Sequence, residues 1–210
     1  MLSLPALLAH GGLVLWLIVL VSAVAVVVFI ERFLHFHTAQ INSIEFLNGV
    51  RTVLKRDNVV EALSICDATP GPVARLVKAA ILHREQGRDR VREAVEEAGL
   101  TEVPRLEEKL NLLATIAQIS PLLGLFGTII GFINMFQTLQ HQGPYVAANG
   151  DAFSLAYGIW SALICAAAGI GVAIPAHAGY NYLVSRVNKI VLDMERAAAE
   201  IVNIVTENGK

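Results

Sequence analysis

Long uncharged runs alternate with charged, periodic segments along the 210-residue chain. Residues 1–30 contain no Asp, Glu, Lys or Arg, and from Leu13 to Ile30 the only polar residue is Ser22. At 1.5 Å per residue, a helix of this length nearly crosses a hydrocarbon core of roughly 30 Å. A cleaved signal peptide is the alternative, but it requires a positively charged start that this segment lacks. We therefore predict a retained membrane helix.

A second uncharged stretch runs from Leu110 to Ser185, with no Lys or Arg and with Asp151 as its only acid. Gly143 and Pro144 signal a turn that divides it into halves of some 30 residues each. Both halves carry scattered polar side chains, which are costly in lipid unless they have partners. We expect these two helices to face protein as well as lipid.

The basic residues give the predicted topology. All 16 Lys and Arg lie in 32–109 or 186–210. The positive-inside rule then places the N-terminus outside and the C-terminus inside. We predict an all-α membrane protein with three transmembrane helices. Its segments are an external N-terminus with the first transmembrane helix (1–30), a cytoplasmic helical domain (31–109), the second transmembrane helix (110–139), an external loop (140–151), the third transmembrane helix (152–185) and a cytoplasmic C-terminal helix (186–210).

Helix signals follow one another through 31–109. Asp57 is the predicted N-cap of a first helix, which the Pro70-Gly71-Pro72 triplet ends. A second, amphipathic helix follows through Val73–Ile81, and a third begins at Asp89 and runs towards Gly99. After Thr101 and Pro104 we expect helix to resume and to continue without a stop signal into the second transmembrane helix.

The tail after Arg186 has apolar residues spaced alternately by four and three positions. They are Val187, Val191, Met194, Ala198, Ile201 and Val205. This spacing fits a coiled-coil seam, and it equally fits an ordinary amphipathic helix that lies on the cytoplasmic domain. In either case it indicates a long helix that leaves the membrane.

Composition agrees with a membrane protein and excludes several functions. Charged residues make up 16% of the chain, against about 25% in soluble domains. The net charge of −2 offers nucleic acid no electrostatic footprint. Cys66 and Cys165 are far apart, which argues against a disulfide-stapled domain. His35 and His37 do not share a helix face, and no catalytic or metal-ligand spacing is found. We expect no enzyme activity, no cofactor and no metal.

Small residues repeat every three or four positions in the second and third transmembrane helices, where they allow close approach of helices in lipid. The predicted packing residues are Gly124, Gly127, Gly131, Ala162, Gly169 and Ala173, together with Pro121 and Pro175, which each remove one backbone hydrogen bond. Packing within one chain explains part of this pattern. Two such stripes in a protein of three spans also indicate a homo-oligomer around a central axis.

None of the predicted transmembrane helices contains Asp, Glu, Lys or Arg. Because a proton route through a membrane requires a titratable group, a second chain must supply that group if this protein carries ions. Thr128 could then line the route; the alternative is a hydroxyl bonded back to the carbonyl at 124. His177, near the inner end of the third helix, is either a helix-contact polar group or the border of a water-filled exit.

The second-span sequence SPLLGLFGTIIGF at 120–132 closely resembles the signature of the ExbB/TolQ/MotA proton-channel family. The segments ALI at 162–164 and GIGVAIPA at 169–176 resemble its third-span signature, and GPVAR at 71–75 resembles the cytoplasmic segment of ExbB-type members. The resemblance implies a pentamer in the bacterial inner membrane, with periplasmic external segments. It also implies two copies of a single-span ExbD- or TolR-like partner with a membrane Asp, and mechanical work on a TonB- or TolA-like protein.

The resemblance also implies site residues. Thr128 matches the pore-facing threonine of the second span. Many ExbB and TolQ members carry a Glu and a Thr where this chain has Ser161 and Ala166. We therefore predict an ion pathway along Thr128, Ser161 and Ala166, and the missing hydroxyl at Ala166 favours protons over sodium. A non-conducting scaffold that positions a partner protein is the alternative function.

Overall fold

The computed structural model describes residues 12–39, 43–142 and 152–207, of which 94% are helical and none is in a strand. The all-α prediction is therefore confirmed. The N-terminal segment before Gly12 and the loop 143–151 lie outside the described residues. The helices are α1 (Gly12–Ala39), α2 (Ser43–Leu54), α3 (Val59–Ala68), α4 (Pro72–Leu82), a 3₁₀ turn (Arg84–Gln86), α5 (Arg88–Glu107), α6 (Leu110–Gln142) and α7 (Ala152–Glu207).

Three helical stretches are long and apolar enough to cross a membrane: Gly12–Phe36, Arg88–Gln137 and Ala156–Thr206. In the second stretch the charged residues all precede Leu110, so its apolar part is α6. The number of predicted transmembrane helices is thus confirmed, whereas the orientation of the termini stays a prediction.

The chain divides into two compact units. A membrane unit consists of Met1–Ile30 and Lys109–Asn181, and a charged unit consists of Glu31–Glu108 and Tyr182–Lys210. Every Lys, Arg, Asp and Glu other than Lys109 and Asp151 belongs to the charged unit. The boundaries between the units therefore fall where the sequence changes from apolar to charged.

In the membrane unit, α1 and α7 run in the same direction. A Cβ placed on Gly127 of α6 would lie close to both Val14 of α1 and Cys165 of α7, so these two residues are at one level. Farther along both helices, a Cβ on Gly179 would lie 2.9 Å from the ring of Phe29. Helix α6 runs in the opposite direction, as the contacts described below establish.

In the charged unit, the N-cap of α3 is Asn58 rather than the predicted Asp57. Asn58 Oδ1 accepts the backbone N–H of Glu61 at 3.3 Å, and Asn58 Nδ2 donates to Glu61 Oε2 at 2.7 Å. An amide can accept and donate at once, which allows both bonds to the same residue. Asp57 instead has φ 55°, and its carboxylate lies 3.0 Å from the guanidinium of Arg84.

Helix α5 continues past the predicted end near Gly99 and through Pro104 to Glu107. It does not run unbroken into α6, so that prediction is wrong. Glu108 and Lys109 form a turn in which Lys109 has φ 65°, a left-handed conformation unfavourable for a lysine. The N–H of Glu108 donates to the carbonyl of Pro104 at 2.9 Å, which closes the last turn of α5. A lysine is not a residue type that indicates the end of a helix, so the sequence did not predict the break between α5 and α6.

The part of α7 after Asn181 is a long amphipathic helix, as predicted. Its buried stripe is Leu183, Val187, Ile190, Met194, Ala197, Ile201 and Ile204. One copy of the chain is sufficient to bury this stripe, and Arg88 Nη2 of α5 donates to Asn203 Oδ1 of α7 at 3.2 Å. These observations favour a helix that packs against the rest of the charged unit over a coiled coil between copies. Val191 and Ala198 of the predicted seam are only half-buried.

Cys66 gives a test of the charged unit. It is buried on α3, and burial raises the pKa of its thiol to about 11; the Asp67 carboxylate adds to the shift and Lys78 opposes it. A thiol with a pKa higher by about two units has a thiolate fraction about a hundredfold smaller at pH 8. We expect maleimide to modify Cys66 at least a hundredfold more slowly in the folded than in the denatured protein, measured by mass spectrometry of its peptide. Equal rates would contradict the burial.

Candidate functional site in the membrane helices

Helices α6 and α7 run antiparallel and touch through residues without bulky side chains. A Cβ on Gly169 would lie 2.6 Å from the carbonyl oxygen of Ser120 and 2.8 Å from Gly124 Cα. About two turns beyond Gly124 along α6, a Cβ on Gly131 would lie 3.0 Å from Ala162 Cβ. The residue numbers rise on α6 as they fall on α7, which establishes the antiparallel direction. At Gly169 the two backbones are in direct contact, as small-residue stripes permit.

Cys165 belongs to the same contact, although it is not among the packing residues predicted from the sequence. A Cβ on Gly127 would lie 2.6 Å from Cys165 Cβ and 3.0 Å from its Sγ. The signal was present in the sequence, since Cys165 is three positions after Ala162 and four before Gly169. A buried cysteine behaves as a small apolar residue, so it fits a stripe of glycine and alanine.

All the predicted packing residues belong to the membrane unit, and most of them are buried. The buried ones are Gly124, Gly127, Gly131, Ala162, Gly169 and Ala173. Pro121 is half-buried within α6. Pro175 is exposed within α7, where it lines an apolar pocket of about 240 Å³ together with Phe29 and Ser22 of α1.

Thr128 is half-buried on α6, four residues after Gly124. Its Oγ1 donates a hydrogen bond of 2.6 Å to the carbonyl oxygen of Leu125, rather than to the carbonyl at 124 that the sequence suggested. This hydrogen bond to the helix backbone uses the single proton of the Thr128 hydroxyl, but the lone pairs of its oxygen remain able to accept hydrogen bonds. In this rotamer, Thr128 can accept a hydrogen bond from a neutral acid or a water molecule.

The other two residues of the predicted pathway lie on different sides of the α6–α7 contact. Ser161 and Ala166 are both half-buried on α7, and five positions separate them by about 140° around the helix. Ala166 adjoins α6, because a Cβ on Gly124 would lie 3.3 Å from Ala166 Cα. Around each helix axis, a residue can be displaced from the line of contact in one rotational sense or the other. In an antiparallel pair, residues displaced in the same sense on the two helices lie on the same side of the pair. Thr128 and Ala166 are displaced in the same sense, so they border one side, which we call the threonine flank, whereas Ser161 is displaced in the opposite sense and borders the other.

Ionisable side chains are few near this contact. His177 is exposed on α7, with its ring centroid 6.4 Å from that of Tyr180. Within the described parts of the chain, no group of three or more His, Cys, Asp or Glu side chains is arranged to hold a metal. His35 is exposed and its ring lies edge-on to Phe36, whereas the side chain of His37 lies outside the described residues. The threonine flank therefore offers a hydroxyl and a methyl group rather than a charged site.

These features define a multi-pass helical membrane protein in which two uncharged helical segments, 110–142 and 152–185, are in backbone contact. Residues 68–196 match the sequence profile of the MotA/TolQ/ExbB proton channel family, which covers α4, α5, α6 and most of α7. The chain belongs to this family, and the resemblance described from its sequence is confirmed.

Curated relatives agree with this assignment. An ExbB homolog of Methanothermobacter thermautotrophicus is 26% identical over 85% of this chain and 62% of its own length. The Tol-Pal system protein TolQ of Haemophilus influenzae is 38% identical over 50% of this chain and 43% of its own. The biopolymer transport protein ExbB of Neisseria gonorrhoeae is 25% identical over 88% of this chain and 87% of its own. The chain thus spans less than two thirds of the first two relatives.

Gly169 and Gly171 form a matched pair that tests the helix contact. A Cβ at Gly169 would collide with the backbone of α6, whereas a Cβ at Gly171 would meet nothing within 4 Å. We expect Gly169→Ala to reduce the free energy of unfolding by about 1–3 kcal/mol, the usual result of overpacking. Gly171→Ala should be neutral or slightly stabilising, because alanine favours helix. Thermal unfolding of both variants in detergent measures the difference, and equal melting temperatures would contradict the close approach.

Proposed function

We propose that this chain is the channel subunit of a proton-driven energy-transducing complex in the bacterial inner membrane and that it is not an enzyme. Several copies, five by the family resemblance, surround the membrane helices of an ExbD- or TolR-like partner. That partner contributes the aspartate that takes up and releases the proton. The complex then performs mechanical work on a TonB- or TolA-like protein. The names of the relatives, biopolymer transport protein and Tol-Pal system protein, support this class of role.

The observation that carries the proposal is an uncharged helix pair with a hydroxyl at its edge. Residues 110–142 and 152–185 contain no Asp, Glu, Lys or Arg, yet the chain belongs to a proton channel family. A titratable group is the usual requirement of a proton route, so a partner must bring it. The threonine flank is suited to receive that partner, because Thr128 and Ala166 are only half-buried, whereas α1 packs against the pair elsewhere, at Gly127 and Gly179.

The Thr128 hydroxyl can respond to the protonation of a partner carboxyl group. While the acid is neutral, its O–H donates to Thr128 Oγ1, and the Thr128 hydroxyl continues to donate to the Leu125 carbonyl. When the acid loses its proton, the hydroxyl can rotate and donate to the carboxylate. This exchange stabilises the anion in a region of low dielectric, where an unpaired charge is costly.

The membrane potential supplies enough energy for such a mechanism. Each proton that crosses the membrane releases about 2.3 kcal/mol per 100 mV. A few protons per cycle can therefore drive a mechanical step of several kcal/mol. The partner's helix, rather than the packed α6–α7 pair, is the element that moves, since the backbone contact at Gly169 leaves these two helices little freedom.

A non-conducting scaffold is the second candidate. One observation favours it: the Thr128 hydroxyl already has a partner in the Leu125 carbonyl, so the chain itself explains its presence. Both candidates require the same helices and the same oligomer. They differ in whether loss of the hydroxyl changes ion flow.

Valine and serine substitutions at Thr128 distinguish these candidates. We expect Thr128→Val, which keeps the shape and removes the hydroxyl, to lower proton flux at least tenfold. Thr128→Ser should keep most of the flux because it keeps the hydroxyl. Flux is measured with a pH-sensitive dye in proteoliposomes that contain the chain and its single-span partner. Size-exclusion chromatography of the same preparations checks that the complex is intact.

Thr115→Val is the matched control. Thr115 is exposed on the same helix and its Oγ1 also donates to a backbone carbonyl, that of Asn111, at 2.7 Å. It lies about half a turn around α6 from the Gly124 contact face. We expect this variant to conduct normally. Normal flux in Thr128→Val would instead support the scaffold.

A further inference from the structure

The charged unit contains a pocket of about 710 Å³ that the proposed channel function does not use. Helix α1, the connection before α4, α4, α5 and the turn after α5 all contribute to its wall. Its ionisable lining residues are Arg32, His35, Arg75, Glu102, Arg105 and Glu108. Three arginines against two glutamates leave a net positive charge.

Arg32 is the unusual member of this group. It is only 5% exposed, and its Nε finds no hydrogen-bond partner among the residues that the structure describes. Its Nη2 lies 3.8 Å from the carboxylate of Glu108, a separation beyond hydrogen-bond distance. The Glu108 side chain is also largely exposed to solvent. A guanidinium group does not lose its proton, and a buried charge without full pairing is costly. The buried Arg32 therefore calls for an anion.

Glu102 does not supply that anion, because two other arginines already share its charge. Its carboxylate lies 2.8 Å from Arg75 Nη1 and 2.9 Å from Arg105 Nη1. Glu102 is buried, whereas the arginine side chains are more than half exposed. Each guanidinium has five N–H donors, so both retain donors for a ligand in the pocket.

The N-terminus of α4 adds donors at the same pocket. Gly71 and Pro72 line it, and Gly71 has φ 129°, a conformation that a side chain would disfavour. No side chain caps this 11-residue helix, and its first turn contains no acidic residue. The first-turn N–H groups and the positive end of the helix dipole therefore favour an anion here.

We propose that this pocket binds the phosphate group of a membrane phospholipid. Arg32 lies in the last turns of the apolar stretch Gly12–Phe36, two positions after the uncharged residues 1–30. We therefore expect Arg32 to lie at the depth of the lipid headgroups. Leu34 and Leu106 in the pocket wall offer apolar contact to the glycerol and upper acyl chain. A phosphodiester carries one negative charge and has oxygens for several donors, which matches the net charge and the unpaired Nε.

The test compares the binding of three probes to the purified protein. They are dioleoyl phosphatidylglycerol, dioleoylglycerol, which lacks the phosphate, and inorganic phosphate. Native mass spectrometry counts the bound lipid, and thermal unfolding reports stabilisation. We expect phosphatidylglycerol to remain bound and to raise the melting temperature, whereas dioleoylglycerol and inorganic phosphate should have little effect.

Arginine substitutions locate the site. We expect Arg32→Gln to weaken phosphatidylglycerol binding at least tenfold. Arg92→Gln is the matched control, since Arg92 is an exposed arginine on α5 that pairs with Glu96 at 2.8 Å, away from the pocket. If Arg32→Gln does not fold, Arg75→Gln decides, because Arg75 is half exposed and Arg105 remains on Glu102.

Three results would overturn the proposal. Equal binding of phosphatidylglycerol and dioleoylglycerol would show that the phosphate is not recognised. Equal loss in Arg92→Gln and in the pocket variant would show a general effect of surface charge. Stabilisation by inorganic phosphate that matches the lipid would assign the pocket to a soluble anion instead.

Discussion

The backbone contact between α6 and α7 is the constraint on which the membrane unit depends. At Gly169 the carbonyl of Ser120 occupies the space that a Cβ would need, so the two helices meet without side chains between them. In lipid there is little hydrophobic drive for helices to associate, and close van der Waals packing takes its place. The contact also fixes the rotation of both helices. As a result, Thr128 and Ala166 border one side of the pair and Ser161 borders the other.

The rigid contact between α6 and α7 suits a division of roles between a fixed helix pair and a separate group that binds the proton. In the proposed function, the helix pair provides a fixed wall without charge, and a partner chain supplies the group that binds the proton. A carboxyl group beside such a wall meets a low dielectric, which disfavours its charged form unless a hydrogen bond compensates. One hydroxyl with free acceptor lone pairs is then sufficient to distinguish the two protonation states. In the proposed complex, the helix pair can therefore stay rigid while the partner's carboxyl group changes charge.

Much of this architecture is visible in the sequence, because membrane spans and small-residue stripes are repeated signals that cover many residues. Single positions are less predictable. Asn58 caps α3 because its amide can both accept and donate hydrogen bonds. From the sequence alone, Asp57 one position earlier is an equally good N-cap. The turn at Lys109 depends on one left-handed residue of a type that does not favour it. The family resemblance groups Ser161 with Thr128, and only the rotation of α7 about its axis shows that the two lie on different sides of the contact. The pocket around Arg32 joins residues up to 76 positions apart, such as Arg32 and Glu108, for which no local pattern exists.

Under the proposed function, the threonine flank also bears on which ion the channel couples. A sodium ion that leaves water needs several oxygen ligands to replace its hydration shell, as filters built from rings of carbonyl groups illustrate. Here Thr128 offers one hydroxyl, Ala166 contributes a methyl group, and Ser161 lies on the other side of the contact. The helical carbonyls nearby are engaged in backbone hydrogen bonds, and that of Leu125 also accepts from Thr128. A proton needs no such cage, because it travels covalently bound to a carboxyl oxygen and requires only a partner for the resulting O–H. If the chain is a channel subunit, as proposed, the chemistry of this flank favours protons over sodium.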